Sequence, residues 1–193
     1  KDDGRGLDYF VPNGEEIKTE DLPLSHQMGF IAMVIGASYY TKKLPVAKLQ
    51  ELCKKIDHPI VLVGGKEDFE EGKAVNEVDP VKIYNACGKF SLNESADIIR
   101  RAKLVISHDT GFQYIACAFN KPVMAVWGGT SPRLDVEPYY GSHFPPKHHN
   151  FIVPHLPCQP CSNFGTRTCP KKHFKCMLLQ DTDALAATTM QQL

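Results

Sequence analysis

In this chain of 193 residues, 22 Lys and Arg balance 22 Asp and Glu, so the formal net charge at pH 7 is zero. A strong nonspecific pull on nucleic acid is therefore excluded. The hydrophobic fraction of 42% and charged fraction of 23% are those of a globular protein able to bury a substantial core in one or two domains. No apolar run approaches the roughly 18 residues that a bilayer-spanning helix needs. Residues 1–28 are polar and rich in turn formers, with Gly4, Gly6, Pro12, Gly14 and Pro23, and read as a linker with a short strand near Tyr9–Val11. From Gly29 onward, strands and helices alternate. Phe30 to Ile35 is the first predicted strand. Pro45 suits the first turn of a helix to Ile56, with Val46, Leu49, Leu52 and Ile56 at helical spacing. Pro59 to Val63 is a strand ending in Gly64-Gly65, and a short acidic helix follows Asp68. Val81 to Asn85 is a third strand. Ser91-Leu92-Asn93-Glu94 is a capping box opening a helix to Arg101. Strands at 103–107 and 122–127, with a helix from Phe112 to Phe119 between them, complete a five-stranded, mostly parallel sheet. A last helix covers 181–193.

After Ser131 the character changes. Eight of the 14 prolines fall between Pro132 and Pro170, and long irregular segments of this kind are often functional. The adjacent His148 and His149 read as a solvated loop, since neighbours in sequence rarely ligate one ion. Cys53, Cys87 and Cys117 sit in apolar surroundings and read as small core residues. Cys158, Cys161, Cys169 and Cys176 form a C-x2-C-x7-C-x6-C cluster. Four thiolates at such spacing can hold a structural zinc; two disulfides or free thiols are the alternatives. A four-thiolate zinc has no open position, so a catalytic metal is not expected.

The most informative stretch is His108-Asp109-Thr110-Gly111-Phe112-Gln113-Tyr114-Ile115-Ala116. An acid, a hydroxyl and a glycine stand where a strand ends and a helix begins, the edge at which open α/β sheets bind ligands. Free backbone N–H groups at a helix start welcome an anion. The next strand runs into Gly128-Gly129-Thr130-Ser131-Pro132, so two polar, glycine-bearing loops leave consecutive strands at one edge. Upstream, Gly36 to Pro45 is a strand end, a polar loop and the lysine pair Lys42-Lys43 before a helix.

This pattern resembles glycosyltransferase family 9, the ADP-heptose:lipopolysaccharide heptosyltransferases, over roughly residues 30–180. That family carries an Asp-Thr/Ser-Gly-x-x-His element followed by a strand and Gly-x-Thr-x-Pro. The resemblance implies a Rossmann-like, mostly parallel sheet with helices on both faces, the C-terminal half of the two-domain GT-B plan. The family's cysteine-bearing tail is matched by His173-Phe174-Lys175-Cys176-Met177. On this resemblance residues 1–28 are an interdomain linker, and residues 29–193, with their Pro/Cys-rich segment 132–178, are the nucleotide-sugar-binding domain.

The implied site follows residue by residue. Lys42 and Ser38 would meet the diphosphate. An acid after the second strand, Asp68 or its neighbour Glu67, would accept bonds from ribose hydroxyls, although a helix cap suits Asp68 equally. Phe90 would lie against adenine or, alternatively, pack on its own helix. Asp109 would hold sugar hydroxyls, with Thr110 and Gly111 at the diphosphate; Lys42 and Asp109 are the implied catalytic groups. Tyr114 departs from the family, which has histidine there. Tyrosine either still donates to phosphate or marks an altered donor site. His108 reads as structural. The implied activity is inverting transfer of heptose from ADP-heptose to the inner core of lipopolysaccharide, in the cytoplasm, peripherally at the inner membrane face. The lipid A-core acceptor and the catalytic base would belong to an N-terminal domain not represented here. A nucleotide-binding module without transferase activity, and a GT-B transferase using another nucleotide sugar, are the alternatives.

Overall fold

The computed structural model describes residues 3–193. Six strands form one sheet in the order β3-β2-β1-β4-β5-β6, with β1 Ile31–Val34, β2 Ile60–Val63, β3 Ile83–Asn85, β4 Leu104–His108, β5 Val123–Val126 and β6 His148–Phe151. Every neighbouring pair is parallel. Parallel strands need crossovers, and the crossover helices cover both sheet faces, which is why β1, β2, β4 and β5 are buried along their whole length and apolar apart from Ser107 and His108 at the end of β4.

Alternate side chains feed two cores. Ile31, Met33, Ile60, Leu62, Leu104 and Ile106 face one side. There they meet Leu49 and Leu52 of α2 (Val46–Lys55), Val75 of α3 (Phe69–Asn76), Met177 of α6 (Lys175–Leu178) and Leu185 of α7 (Thr182–Gln191). Ala32, Val34, Val61, Val105 and Ala125 face the other side, against Ile98 and Ile99 of α4 (Leu92–Arg101) and Ala116 of α5 (Gly111–Ala118). The predicted capping box opens α4: Ser91 Oγ accepts the Glu94 N–H, and the Glu94 carboxylate accepts the Ser91 N–H. Pro45 stands one residue before α2 rather than inside it.

Two expectations are corrected. The sheet has six strands, not five: His148 and His149, read as a solvated loop, lie in β6 and pair with Val123 and Met124. This edge strand has no apolar alternation to reveal it, and polar side chains suit an edge. Asn150 fixes it by accepting the indole N–H of buried Trp127 at 2.8 Å. No strand forms near Tyr9–Val11.

The segment before β1 lies tightly on the domain. Ile17 and Leu22 enter the second core, and a short helix, α1 (Leu24–Gln27), carries His26 into the interior. His26 Nε2 lies 3.1 and 3.0 Å from the carbonyls of Ile60 and Lys82. The fully buried Asp97 carboxylate accepts the Ile17 N–H at 3.0 Å and pairs with Arg101 at 2.9 Å and Arg100 at 2.6 Å. Removing it leaves the buried Ile17 N–H without its acceptor and takes one partner from each of the two arginines. Asp97→Ala should therefore lower unfolding stability by about 2–3 kcal/mol in urea titrations. The same variant should expose residues 3–28 to limited proteolysis before the rest of the chain.

Candidate functional site

The strand order reverses between β1 and β4, and the chain leaves these two neighbours toward opposite faces. Their C-terminal ends diverge and open a crevice, the place where open α/β sheets bind ligands. A cavity of about 470 Å³ lies there. It is lined by Gly36, Ala37, Ser38 and Lys42 after β1, by Gly64, Gly65, Glu67 and Asp68 after β2, and by Asp109, Thr110, Gly111, Phe112 and Tyr114 after β4.

Two adjacent lysines diverge at its edge. Lys42 Nζ pairs with Asp109 Oδ2 at 2.8 Å. Lys43 Nζ turns the other way, to Asp68 Oδ1 and Glu71 Oε2, each at 2.7 Å. Burial works against the Lys43 charge, but its hydrogen bonds to the two carboxylates outweigh this and raise its pKa. The other oxygen of Asp68 accepts the Gly65 N–H at 2.9 Å. Both oxygens of this buried acid are thus engaged within the protein. Glu67, the alternative acid, is exposed and lines the same cavity.

At the start of α5, Thr110 adopts an extended backbone and makes no side-chain cap. Its hydroxyl oxygen is buried without a hydrogen-bond partner. Gly111 begins the helix, and a Cβ added there would meet nothing within 4 Å. The first turn therefore offers uncapped N–H groups to the cavity, an arrangement that attracts anions. Gly36 has the opposite character, because a Cβ there would collide with the Asp68 carboxylate.

Tyr114 lines the cavity, yet its hydroxyl donates to the Val136 carbonyl at 2.9 Å. Gln113 Nε2 donates to the same oxygen at 3.0 Å. Burial, then the nearby Asp109 charge, raises the Tyr114 pKa, so it remains a neutral strut holding the 131–137 loop. Phe90 is not among the residues lining this cavity; it packs against the second core. Sequence reasoning missed Lys43 as the link between the β1 and β2 loops. Only its adjacency to Lys42 hinted at a role.

For the four cysteines of the C-terminal cluster, zinc, disulfides and free thiols are the readings the sequence leaves open. Among the described residues, no three His, Cys, Asp or Glu groups are disposed to hold a metal ion, and all seven cysteines are free thiols. The four C-terminal thiols nonetheless lie within electrostatic reach of one another: burial first, then Cys158 and Cys169, raises the Cys161 pKa, and burial, then Cys161, Cys169 and Cys158, raises that of Cys176. Cys158 lies 3.8 Å from His173 Nε2, Cys161 is 3.5 Å from the Gly129 carbonyl, and Cys169 accepts the Phe174 N–H at 3.4 Å. Cys176 is drawn into the first core by α6.

The model of glycosyltransferase family 9 (heptosyltransferase) matches residues 13–173. The chain belongs to glycosyltransferase family 9. It is 33% identical over 91 residues to lipooligosaccharide heptosyltransferase 2 of Haemophilus influenzae, covering 45% of this chain and 26% of that protein. It is 27% identical over 192 residues to lipooligosaccharide heptosyltransferase 2 of Campylobacter jejuni serotype O:6, covering 88% of this chain and 57% of that protein. The structure of E. coli ADP-heptose LPS heptosyltransferase II superposes with a TM-score of 0.62 at 20% identity over 95% of this chain and 54% of that one, a likeness of fold. The chain thus spans between about a quarter and somewhat over half the length of these relatives.

His108 is the buried titratable group beneath the site. Its Nε2 accepts the Leu44 N–H at 3.0 Å, which leaves the ring proton on Nδ1. Burial, then the Lys43 charge, lowers its pKa from 6.5 to about 4. The unfolded chain takes up this proton near 6.5, whereas the folded chain holds out to about 4. Folding stability should thus fall as pH drops through that window and level off below it, by on the order of 3 kcal/mol from this group. Urea unfolding at stepped pH should show His108→Gln losing that component of the slope. An unchanged slope would mean the ring is not held neutral.

Proposed function

We propose that the chain is the donor-binding half of an inverting glycosyltransferase that transfers heptose from ADP-heptose to the inner core of lipopolysaccharide. The observation that carries this reading is convergence. The Lys42 ammonium, the orphan Thr110 hydroxyl and the uncapped start of α5 meet in one cavity at the switch point of a family 9 sheet. A diphosphate entering the cavity would compete with Asp109 for Lys42, freeing the carboxylate to accept sugar hydroxyls. As the glycosidic bond breaks, charge grows on the departing ADP. Lys42 and the Gly111 and Phe112 N–H groups would stabilise it there. Of the two acids after β2, Glu67 is the better ribose acceptor, because Asp68 is spent on Lys43 and Gly65. The acceptor hydroxyl would be deprotonated by a carboxylate in the part of the relatives that this chain does not cover, which would also hold the lipid A-core acceptor. On this reading, residues 1–28 lead in from that other half.

A peripheral place at the inner membrane face fits the charge distribution. Residues 138–180 contain Lys147, Arg167, Lys171, Lys172 and Lys175 and not one Asp or Glu. Such a basic segment is drawn to anionic lipid. Among the described residues, no helix is long and apolar enough to cross a membrane.

A second reading, a nucleotide-binding module without turnover, is favoured by Tyr114. Its hydroxyl is committed to Val136 rather than free for phosphate.

Calorimetric titration with ADP, GDP and UDP separates these readings from another donor class. Saturable binding selective for ADP is expected. Equal binding of UDP, or none of ADP, would sink the ADP-heptose assignment, and binding without turnover of ADP-heptose by the longer enzyme would favour the module. Lys42→Ala should weaken ADP roughly ten- to a hundredfold, the loss of a charge-assisted contact, while the exposed Lys54→Ala leaves it unchanged. Gly111→Ala tests the helix start separately. Alanine is the better helix former and meets no protein atom here, so thermal stability should hold or rise while ADP affinity falls. Undiminished affinity would remove the helix start from the phosphate site.

A further inference from the structure

We infer that Thr41, gripped by the Pro/Cys-rich segment, is a positioning residue that sets the Lys42 ammonium against Asp109; its bearing on the diphosphate rests on the function proposed above. Thr41 is 1% exposed and sits in the short turn Tyr40–Lys42, immediately before the lysine. Its hydroxyl accepts the Thr166 N–H at 2.8 Å and lies 3.1 Å from the Thr166 carbonyl, which also accepts the Thr41 N–H at 3.2 Å. The Thr41 carbonyl accepts the Gly129 N–H at 2.7 Å. One residue thereby ties the turn bearing Lys42 to the loop after β5 and to a strand-free segment 125 positions downstream.

The grip closes into a ring. The Gly129 carbonyl accepts the N–H groups of Cys161 and Ser162 at 2.9 and 3.2 Å. The Ser162 hydroxyl accepts the N–H groups of Phe164 and Gly165 at 3.1 and 3.0 Å, folding the chain back toward Thr166. Gln159 Nε2 pins the start of this segment to the carbonyls of Trp127 and Gly128 at 3.1 and 2.7 Å.

Gly165 then lies on the stem of Lys42. A Cβ there would come within 3.2 Å of Lys42 Cγ and Cε and 2.9 Å of Tyr39 Cβ, and its φ of +92° is one that favours glycine. A lysine stem has four rotatable bonds, and ordering it on binding costs entropy. Here that ordering is supplied in advance by backbone packed against the stem, which leaves the ammonium 2.8 Å from Asp109.

The test compares Thr41→Val, which keeps the shape and loses the hydroxyl, with Thr41→Ser, which keeps the hydroxyl. Ser162→Ala is a milder second variant that loosens the turn bearing Gly165. Two readouts are taken on the chain. One is the NMR signal of the Lys42 ammonium, which persists when the group is held in an ordered ion pair. The other is calorimetric affinity for ADP against AMP. Thr41→Val and Ser162→Ala should broaden or lose the ammonium signal. They should also weaken ADP about tenfold, the worth of one misplaced charged contact, with AMP little changed; Thr41→Ser should restore both. A general loss of structure would instead weaken both nucleotides alike, and serine would rescue neither, which overturns the inference. An intact ammonium signal with undiminished ADP binding in Thr41→Val also overturns it while leaving the proposed function standing. Loss of the signal in a protein that never binds ADP would uphold the positioning role and sink the nucleotide reading instead.

Discussion

The reversal of strand order between β1 and β4 is the constraint from which the rest follows. Neighbouring parallel strands share a register, so their C-terminal ends stand side by side. The chain leaving β1 enters α2 on one face, and the chain leaving β4 enters α5 on the other. The two connections must part, and the space between them is walled by backbone and by the first residues of each loop. Lys42 and Asp109 face each other because they stand on opposite walls of that gap. The start of α5 points into it because the helix must turn away from the strand end at once.

Electrostatics divides the two lysines after β1. Lys43 is taken inward by Asp68 and Glu71, a costly burial of charge made tolerable by multiple partners and by the Gly65 N–H on the same carboxylate. This pairing stitches the β1 loop to the β2 loop. A side chain at position 36 would obstruct it, since Cβ would occupy the carboxylate's place. With Lys43 consumed, Lys42 is the lysine left to the cavity. His108 beneath them adds no charge: burial and the Lys43 ammonium both resist its protonation, so the ring serves as a hydrogen-bond acceptor that fixes Leu44 at the start of the helical connection. A third cation there would oppose the first two.

The buried strands were legible in the sequence because both faces are covered, which leaves unbroken apolar runs between turn signals. Their predicted bounds fall within one or two residues of those observed. The strand β6 was not legible, since its partners lie on one edge only and its side chains are mostly polar. The cavity's own residues were legible wherever a loop carried a local pattern: Ser38, Lys42, Asp109, Thr110 and Gly111 all line it. Choices that depend on long-range partners were not. Asp68 and Glu67 both line the cavity, and which of them keeps free oxygens turns on where Lys43 points; Tyr114 is diverted by a carbonyl 22 residues away. Thr41 carried no local signal, because its partner is 125 residues distant. The cysteine spacing suggested a shared centre, and the four thiols do lie within electrostatic reach of one another, with Cys176 held in the first core by α6.

The Pro/Cys-rich segment owes its order to a different source than the sheet does. It has almost no regular structure between Phe151 and α6, so its backbone polar groups must find partners elsewhere. Its N–H groups find them on Thr41, on Gly129 and on the segment's own Ser162 hydroxyl, while the Gln159 side chain bonds the carbonyls of Trp127 and Gly128. Prolines lower the entropy of the unfolded chain and so the cost of holding this path. A segment that satisfies itself against the loops after β1 and β5 cannot move without disturbing them. The wall of the cavity is therefore stiffened from outside the sheet, by chain that a reading of strands and helices alone would treat as connection.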